Sequence, residues 1–116
     1  MIEVKRGEIY YVSLENVVGS EQSGNRPAVV LSNDLGNKCS PTVIVAAITS
    51  KKKSRQPTHV KINTHGLPKK STIMLEQLQT VDKQRLGRFV GILNDDQMRE
   101  IDRALDISLG RKGDNL

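Results

Sequence analysis

Tryptophan is missing from the chain, and Tyr10, Tyr11 and Phe89 are its only aromatic residues. A base-stacking platform of the RRM or cold-shock type is therefore poorly supported. Cysteine occurs once, at Cys39. That excludes an intramolecular disulfide framework and any multi-cysteine zinc site, and fits a reducing cytoplasm. No activating group adjoins Cys39 in sequence, so a packing role is favoured over a nucleophile. The longest unbroken apolar run, Val43 to Ile48, has six residues, where a membrane helix needs roughly 20. Glu3, Lys5 and Arg6 stand where a signal peptide would carry its apolar stretch, so secretion is not expected. No repeat, low-complexity tract or proline-rich linker divides the 116 residues, and residues 1–116 read as a single domain.

Charge is plentiful but unevenly placed. Between Lys51 and Lys70 the chain carries Lys51, Lys52, Lys53, Arg55, Lys61, Lys69 and Lys70 and no acid, although its overall charge is only +5. The remainder is therefore slightly acidic, and the basicity is a local stripe. A polyanion is its natural partner, nucleic acid before membrane. The plainer reading is a solvated loop charged for solubility.

Most of the chain reads as short strands separated by turns, which suggests a small barrel or sandwich. Strands are expected over Gly7 to Leu14, from Ala28 to Leu31 after Pro27, and over Thr42 to Thr49. The last is buried on both faces by its near-continuous apolar composition. His59 to Ile62 alternates, and Ser71 to Val81 and Arg88 to Leu93 supply the rest. Val17 to Gly24 reads as a loop and Asn33 to Asn37 as a turn. One helix is clear: Asn94 with Gln97 forms a capping box, Asp95 and Asp96 suit the positive helix end, and Gly110 suits its terminus. Met98, Ile101, Leu105 and Leu109 recur at helical spacing and are expected to pack on the barrel.

The inventory restricts the chemistry. Metal-dependent phosphodiesterases need clustered carboxylates or histidines, and no cluster with ligand spacing appears. His59 and His65 are the only histidines, and their six-residue separation defines no acid–base pair, so they read as strand and turn residues. Arginine, threonine and amide chemistry remain. Arg26 lies between a glycine-bearing loop and a rigidifying proline, where its guanidinium could fork onto a phosphate. Thr49 ends the most apolar strand, where its hydroxyl is expected to emerge from the core toward a surface. Each also has a plain reading, as an ion-pairing residue and an ordinary β-former.

Four stretches decide between these readings: Lys5 to Tyr10, Val18 to Pro27, Pro41 to Ser50 and Ser71 to Leu86. In this order and spacing they closely resemble the MazF/PemK family of toxin endoribonucleases from type II toxin–antitoxin systems, over essentially Lys5 to Leu109. The resemblance implies an SH3-like small barrel with a C-terminal helix. It also implies a cytoplasmic homodimer, without metal or other cofactor, that cleaves single-stranded RNA, messenger RNA especially, at a short sequence. A co-produced MazE-like antitoxin would neutralise it. Carried across residue by residue, Arg26 and Thr49 match the catalytic arginine and threonine. Ser20, Glu21, Gln22, Asn33, Glu76, Gln77 and Thr80 fall where the family lines its RNA groove. Lys51, Lys52 and Lys53 of the basic stripe would track the phosphate backbone.

The implied reaction is transesterification, in which the ribose 2′-oxygen attacks phosphorus and expels the 5′-oxygen. Arg26 would neutralise charge on the phosphorane and Thr49 would donate a hydrogen bond to it. Arginine stays protonated to beyond about pH 12, so it suits a clamp or acid better than a base. Glu21 is a candidate base. Gln79 departs from the arginine many relatives carry, which bears on the RNA sequence recognised. A gyrase-poisoning branch shares the fold but relies on a C-terminal tryptophan, whereas this chain ends Gly-Asp-Asn-Leu. A non-catalytic RNA-binding barrel is the other alternative.

Overall fold

Val43 to Ile48 forms the middle of the strand around which the sheet is built. The computed structural model describes residues 3–14, 24–51, 54–64, 66–67 and 70–111. The expectations for Ser20, Glu21, Gln22, Lys52, Lys53 and His65 lie outside the described residues. In chain order the elements are β1 (Glu8–Leu14), β2 (Gly24–Val30), α1 (Asp34–Cys39), β3 (Thr42–Thr49) and β4 (His59–Ile62), then β5 (Ser71–Asp82), a 3-10 turn (Lys83–Arg85), β6 (Leu86–Ile92) and α2 (Asp95–Ser108). The strands pair antiparallel in the order β4-β5-β3-β2-β1-β6. The result is a mainly β, curled half-barrel with one long helix. Among the described residues no helix is long and apolar enough to cross a membrane.

β3 sits inside the sheet, so alternate side chains feed two apolar clusters, as its unbroken apolar run requires. Val45 and Ala47 join Tyr10, Val12, Ala28, Val30 and Met74 on one face. Ala46 and Ile48 join Ile9, Val29, Ile73 and Leu75 on the other, where α2 adds Ile101 and Ala104. Each large aliphatic side chain buried this way stabilises the fold by about 1.5–3 kcal/mol before ordering costs. Tyr10 reaches its own polar neighbour: its hydroxyl donates to Glu8 Oε1 at 2.9 Å. Burial, with help from Glu8, pushes its pKa up to about 12.

The long strand β5 changes phase midway. Ala46 pairs with Leu78, but Ile48, two residues on, pairs with Ile73. Residues 74–77 are thus a multi-residue bulge. The first half of β5 also pairs with β4, and its second half continues along β3 toward the Thr42 end.

α2 begins as its sequence requires. The Gln97 N–H donates to Asn94 Oδ1 at 2.8 Å and the Asn94 N–H donates to Gln97 Oε1 at 2.9 Å. Leu109 caps the other end and Gly110 follows with φ of 72°, the left-handed turn that glycine adopts without strain. The apolar stripe is narrower than expected, however. Ile101 and Ala104 are buried, Met98 and Leu105 half-buried, and Leu109 is 58% exposed. The expected turn at Asn33 to Asn37 is a short helix. Asn33 caps it through the Gly36 N–H, and Asn37 is fully buried, donating to the Ser32 carbonyl at 2.8 Å and accepting from the Ser32 hydroxyl. Cys39, expected to pack, ends this helix exposed to solvent. β2 starts earlier than expected, taking in Gly24, Asn25 and Arg26 before Pro27.

Candidate active site

The pairing of β2 with β3 ends just short of Arg26 and Thr49. Ala28 pairs with Ala47, Val29 with Ala46 and Val30 with Val45. Continued two residues, that register directs Arg26 of β2 toward Thr49 of β3. On its other side Arg26 faces Val12 of β1. Beyond Thr49 the same row continues through Thr72 of β5 to Lys61 of β4. Directly paired residues share a face of the sheet, so the four strands present arginine, two threonines and lysine in line.

Thr49 is not the surface hydroxyl that sequence suggests. It is 1% exposed, at the end of a strand that lies inside the sheet between β2 and β5. The Lys51 N–H donates to its Oγ1 at 3.2 Å. A hydroxyl that accepts there still has its own proton to give. Arg26 is half-buried and engaged with neighbouring groups. Lys51 is exposed immediately beyond.

Glu76 occupies the bulge of β5 and is held by β4 and the residue before it. The Thr58 hydroxyl donates to Oε1 at 3.0 Å, and His59 Nε2 lies 2.9 Å from Oε2. Burial works against its ionisation. Hydrogen bonds from His59, from its own backbone N–H and from Thr58 outweigh that and hold its pKa below the ordinary 4.5. The His59 side chain is only 5% exposed. It is therefore more than an ordinary strand residue, since it orients this carboxylate from seventeen positions away.

The remaining expected residues are spread out. Gln77 is half-buried in the same bulge. Asn33 lies beyond the far end of β2 from Arg26, and its Oδ1 is engaged in capping. Thr80 pairs with Ile44, on the opposite face and toward the opposite end of β3 from Thr49. With Leu31, Leu78, Leu105 and Leu109 it lines an apolar cleft. Sequence reasoning missed Thr72 and the meeting of Lys61 with Lys70 at one cleft. Only strand pairing reveals them. Among the described residues no group of three or more histidines, cysteines, aspartates or glutamates converges as a metal site would require.

A small curled β half-barrel with a helix across one face is a fold with solved members. One is MazF (Form-I) from Deinococcus radiodurans, with a TM-score of 0.82 at 22% identity over 95% of this chain and 99% of that one. Another is an endoribonuclease in complex with its cognate antitoxin from Mycobacterial species, with a TM-score of 0.76 at 24% identity over 92% and 95% of the two chains. These likenesses establish the fold. The chain itself belongs to the family of PemK-like, MazF-like toxins of type II toxin–antitoxin systems, which matches residues 5–109. It is 51% identical over 109 residues to Endoribonuclease EndoA of Bacillus subtilis (strain 168), spanning 91% of this chain and 94% of that protein.

Proposed function

We propose that this protein is an endoribonuclease toxin that cuts single-stranded RNA by attack of the ribose 2′-oxygen, without a metal ion. The observation that supports this reading is the β2–β3 register, which continued two residues sets Arg26 opposite Thr49, in a chain half identical to a protein named as an endoribonuclease. The 2′-oxygen forms a bond to phosphorus, the 5′-oxygen leaves, and a cyclic phosphate and a 5′-hydroxyl result. Arg26 supplies a permanent charge to the phosphorane oxygens. Thr49, its acceptor lone pair occupied by the Lys51 N–H, donates its proton to the same group once the phosphate has entered the row. Glu76, kept ionised by His59 and Thr58, accepts hydrogen bonds from a base edge.

The partners belong to the same proposal. An acidic, MazE-like antitoxin segment competes with RNA for the basic end of the sheet. A second copy of the chain covers the apolar cleft at the other end, where Ile44 and Leu109 are exposed. The test is digestion of one defined RNA in excess EDTA, beside the same RNA with a single deoxyribose just 5′ of the cut. Cleavage should survive the chelator and cease at the deoxy position. Activity restored only by a divalent ion, or normal cutting of the deoxy substrate, would overturn the mechanism.

A further inference from the structure

A cleft of about 410 Å³ opens beside the Thr49 end of β3, lined among others by Ser50, Lys51, Lys61, Asn63, Lys70 and Thr72. Its three lysines come from three separate segments: the residue pair after β3, the middle of β4 and the residue before β5. Among the described residues no carboxylate lines the cleft. Three like charges gathered together repel one another, and an entering anion turns that cost into attraction. Lys61 and Thr72 are paired residues, and Thr72 is paired with Thr49. The cleft is therefore the continuation of the row that begins at Arg26.

We propose that this cleft is a second phosphate subsite, in which Lys51, Lys61 and Lys70 hold the backbone of the same RNA strand at a linkage other than the one being cut. The proposal rests on the ribonuclease reading above. Adjacent strands lie about 4.8 Å apart, which sets the Cα of Lys61 about 10 Å from that of Thr49. That separation suits a neighbouring linkage of a strand lying across the sheet, not the scissile phosphate itself. The division of residue types agrees. The planar arginine fork stands where a phosphorane must be recognised, whereas lysines act as point charges that hold a backbone without reading it. The subsite strengthens binding and leaves base choice to other residues.

The experiment uses a defined RNA whose cut site has been mapped with the wild-type protein, made uncleavable by one deoxyribose 5′ of the scissile linkage. Binding is followed by fluorescence anisotropy over a salt series for wild type and for Lys61→Gln/Lys70→Gln. Both lysines are exposed, and thermal melting checks that the variant folds. Losing one phosphate contact should reduce the salt slope by about 0.7 and the affinity by about fivefold near 0.1 M salt. Lys83→Gln/Arg99→Gln, an equal charge change at the far end of β5 and on α2, should leave the slope unaltered. Neutral methylphosphonates are then placed one linkage at a time. At one linkage away from the cut, neutralisation should weaken the wild type but not Lys61→Gln/Lys70→Gln. Wild-type protein that cuts no RNA would overturn both this proposal and the one beneath it. Normal cutting with an unaltered variant slope, or an equal drop in the control, would overturn the subsite alone. So would unchanged RNA binding with weakened capture of an acidic antitoxin peptide.

Discussion

The two ends of β3 differ in kind. At the Thr49 end the sheet sets Thr49, Thr72 and Lys61 in one row that extends toward Arg26, beside a cleft that no carboxylate among the described residues lines. At the Thr42 end, and on the other face, Ile44 is 43% exposed beside Leu78, Thr80 and Leu109. One strand thus runs from an apolar surface to a cationic one. Burying Ile44 gains from water release in any apolar setting and has no directional demand. The cationic end is specific in another way, because its donors must meet oxygens at fixed positions. On the proposed reading, substrate chemistry and self-association can be altered independently along a single strand.

The comparison breaks most visibly at Arg26. Arg26→Ala should slow single-turnover cleavage by about 10²–10³-fold while the apolar end is untouched, the scale for losing a preorganised donor at a developing oxyanion. Near-normal rates in a rapid-quench assay would remove Arg26 from the chemistry. Thr49→Val should cost about 10²-fold in the same assay, and Thr49→Ser should retain most activity. Because Thr49 is buried and accepts from the Lys51 N–H, the valine variant should also lose about 1 kcal/mol of stability in urea. A valine variant as active as wild type would make the hydroxyl purely structural.

Ile44→Lys sharpens the other side. A half-exposed position away from the core should change monomer stability by no more than about 0.5 kcal/mol, yet sedimentation should show the pair of copies dissociating. Persistence of the dimer would move the self-association surface elsewhere.

The smallest effects are on the pH dependence of stability. The folded-state pKa of Glu76 lies below the ordinary 4.5, so the unfolded chain takes up that proton first. The stabilisation is complete above the ordinary value and is lost as pH falls through the folded one. Glu76→Gln should flatten the acid limb of stability measured by urea titration. For Tyr10 the sense is reversed. With a pKa of about 12 in the fold against 10.0 ordinarily, its contribution holds below pH 10 and is lost as pH rises toward 12. Tyr10→Phe should flatten the alkaline limb.

Legibility in the sequence followed the range of the interaction. The α2 cap was readable because Asn94 and Gln97 satisfy each other three residues apart. β3 was readable because burial on both faces leaves an apolar run. The resemblance supplied Arg26 and Thr49, but not that Thr49 would be covered, which follows from β2 and β5 closing on either side. α1 looked like a turn because its six residues carry Gly36 and its anchor is Asn37 locking onto Ser32, a side-chain arrangement without periodicity. His59 meets Glu76 only through the fold, and a lone sequence offers no marker for that pair. Lys51, Lys61 and Lys70 were visible as members of a basic stripe, but not that they line one cleft.

The bulge at residues 74–77 gives β5 a property akin to a reading frame. Ile73 and Leu78 are five residues apart, yet both point to the α2 side of the sheet. In an unbroken strand an odd separation would put them on opposite sides. Flattening the bulge to strict alternation at unchanged length would therefore misphase one half of the strand. If Ser71 to Leu75 kept their places, Val81 would turn outward and Thr80 inward. If the second half kept its place, Ile73 would leave the core and Thr72 would leave the row shared with Thr49. Point substitutions in this segment change one side chain at a time, whereas loss of the bulge rephases half a strand.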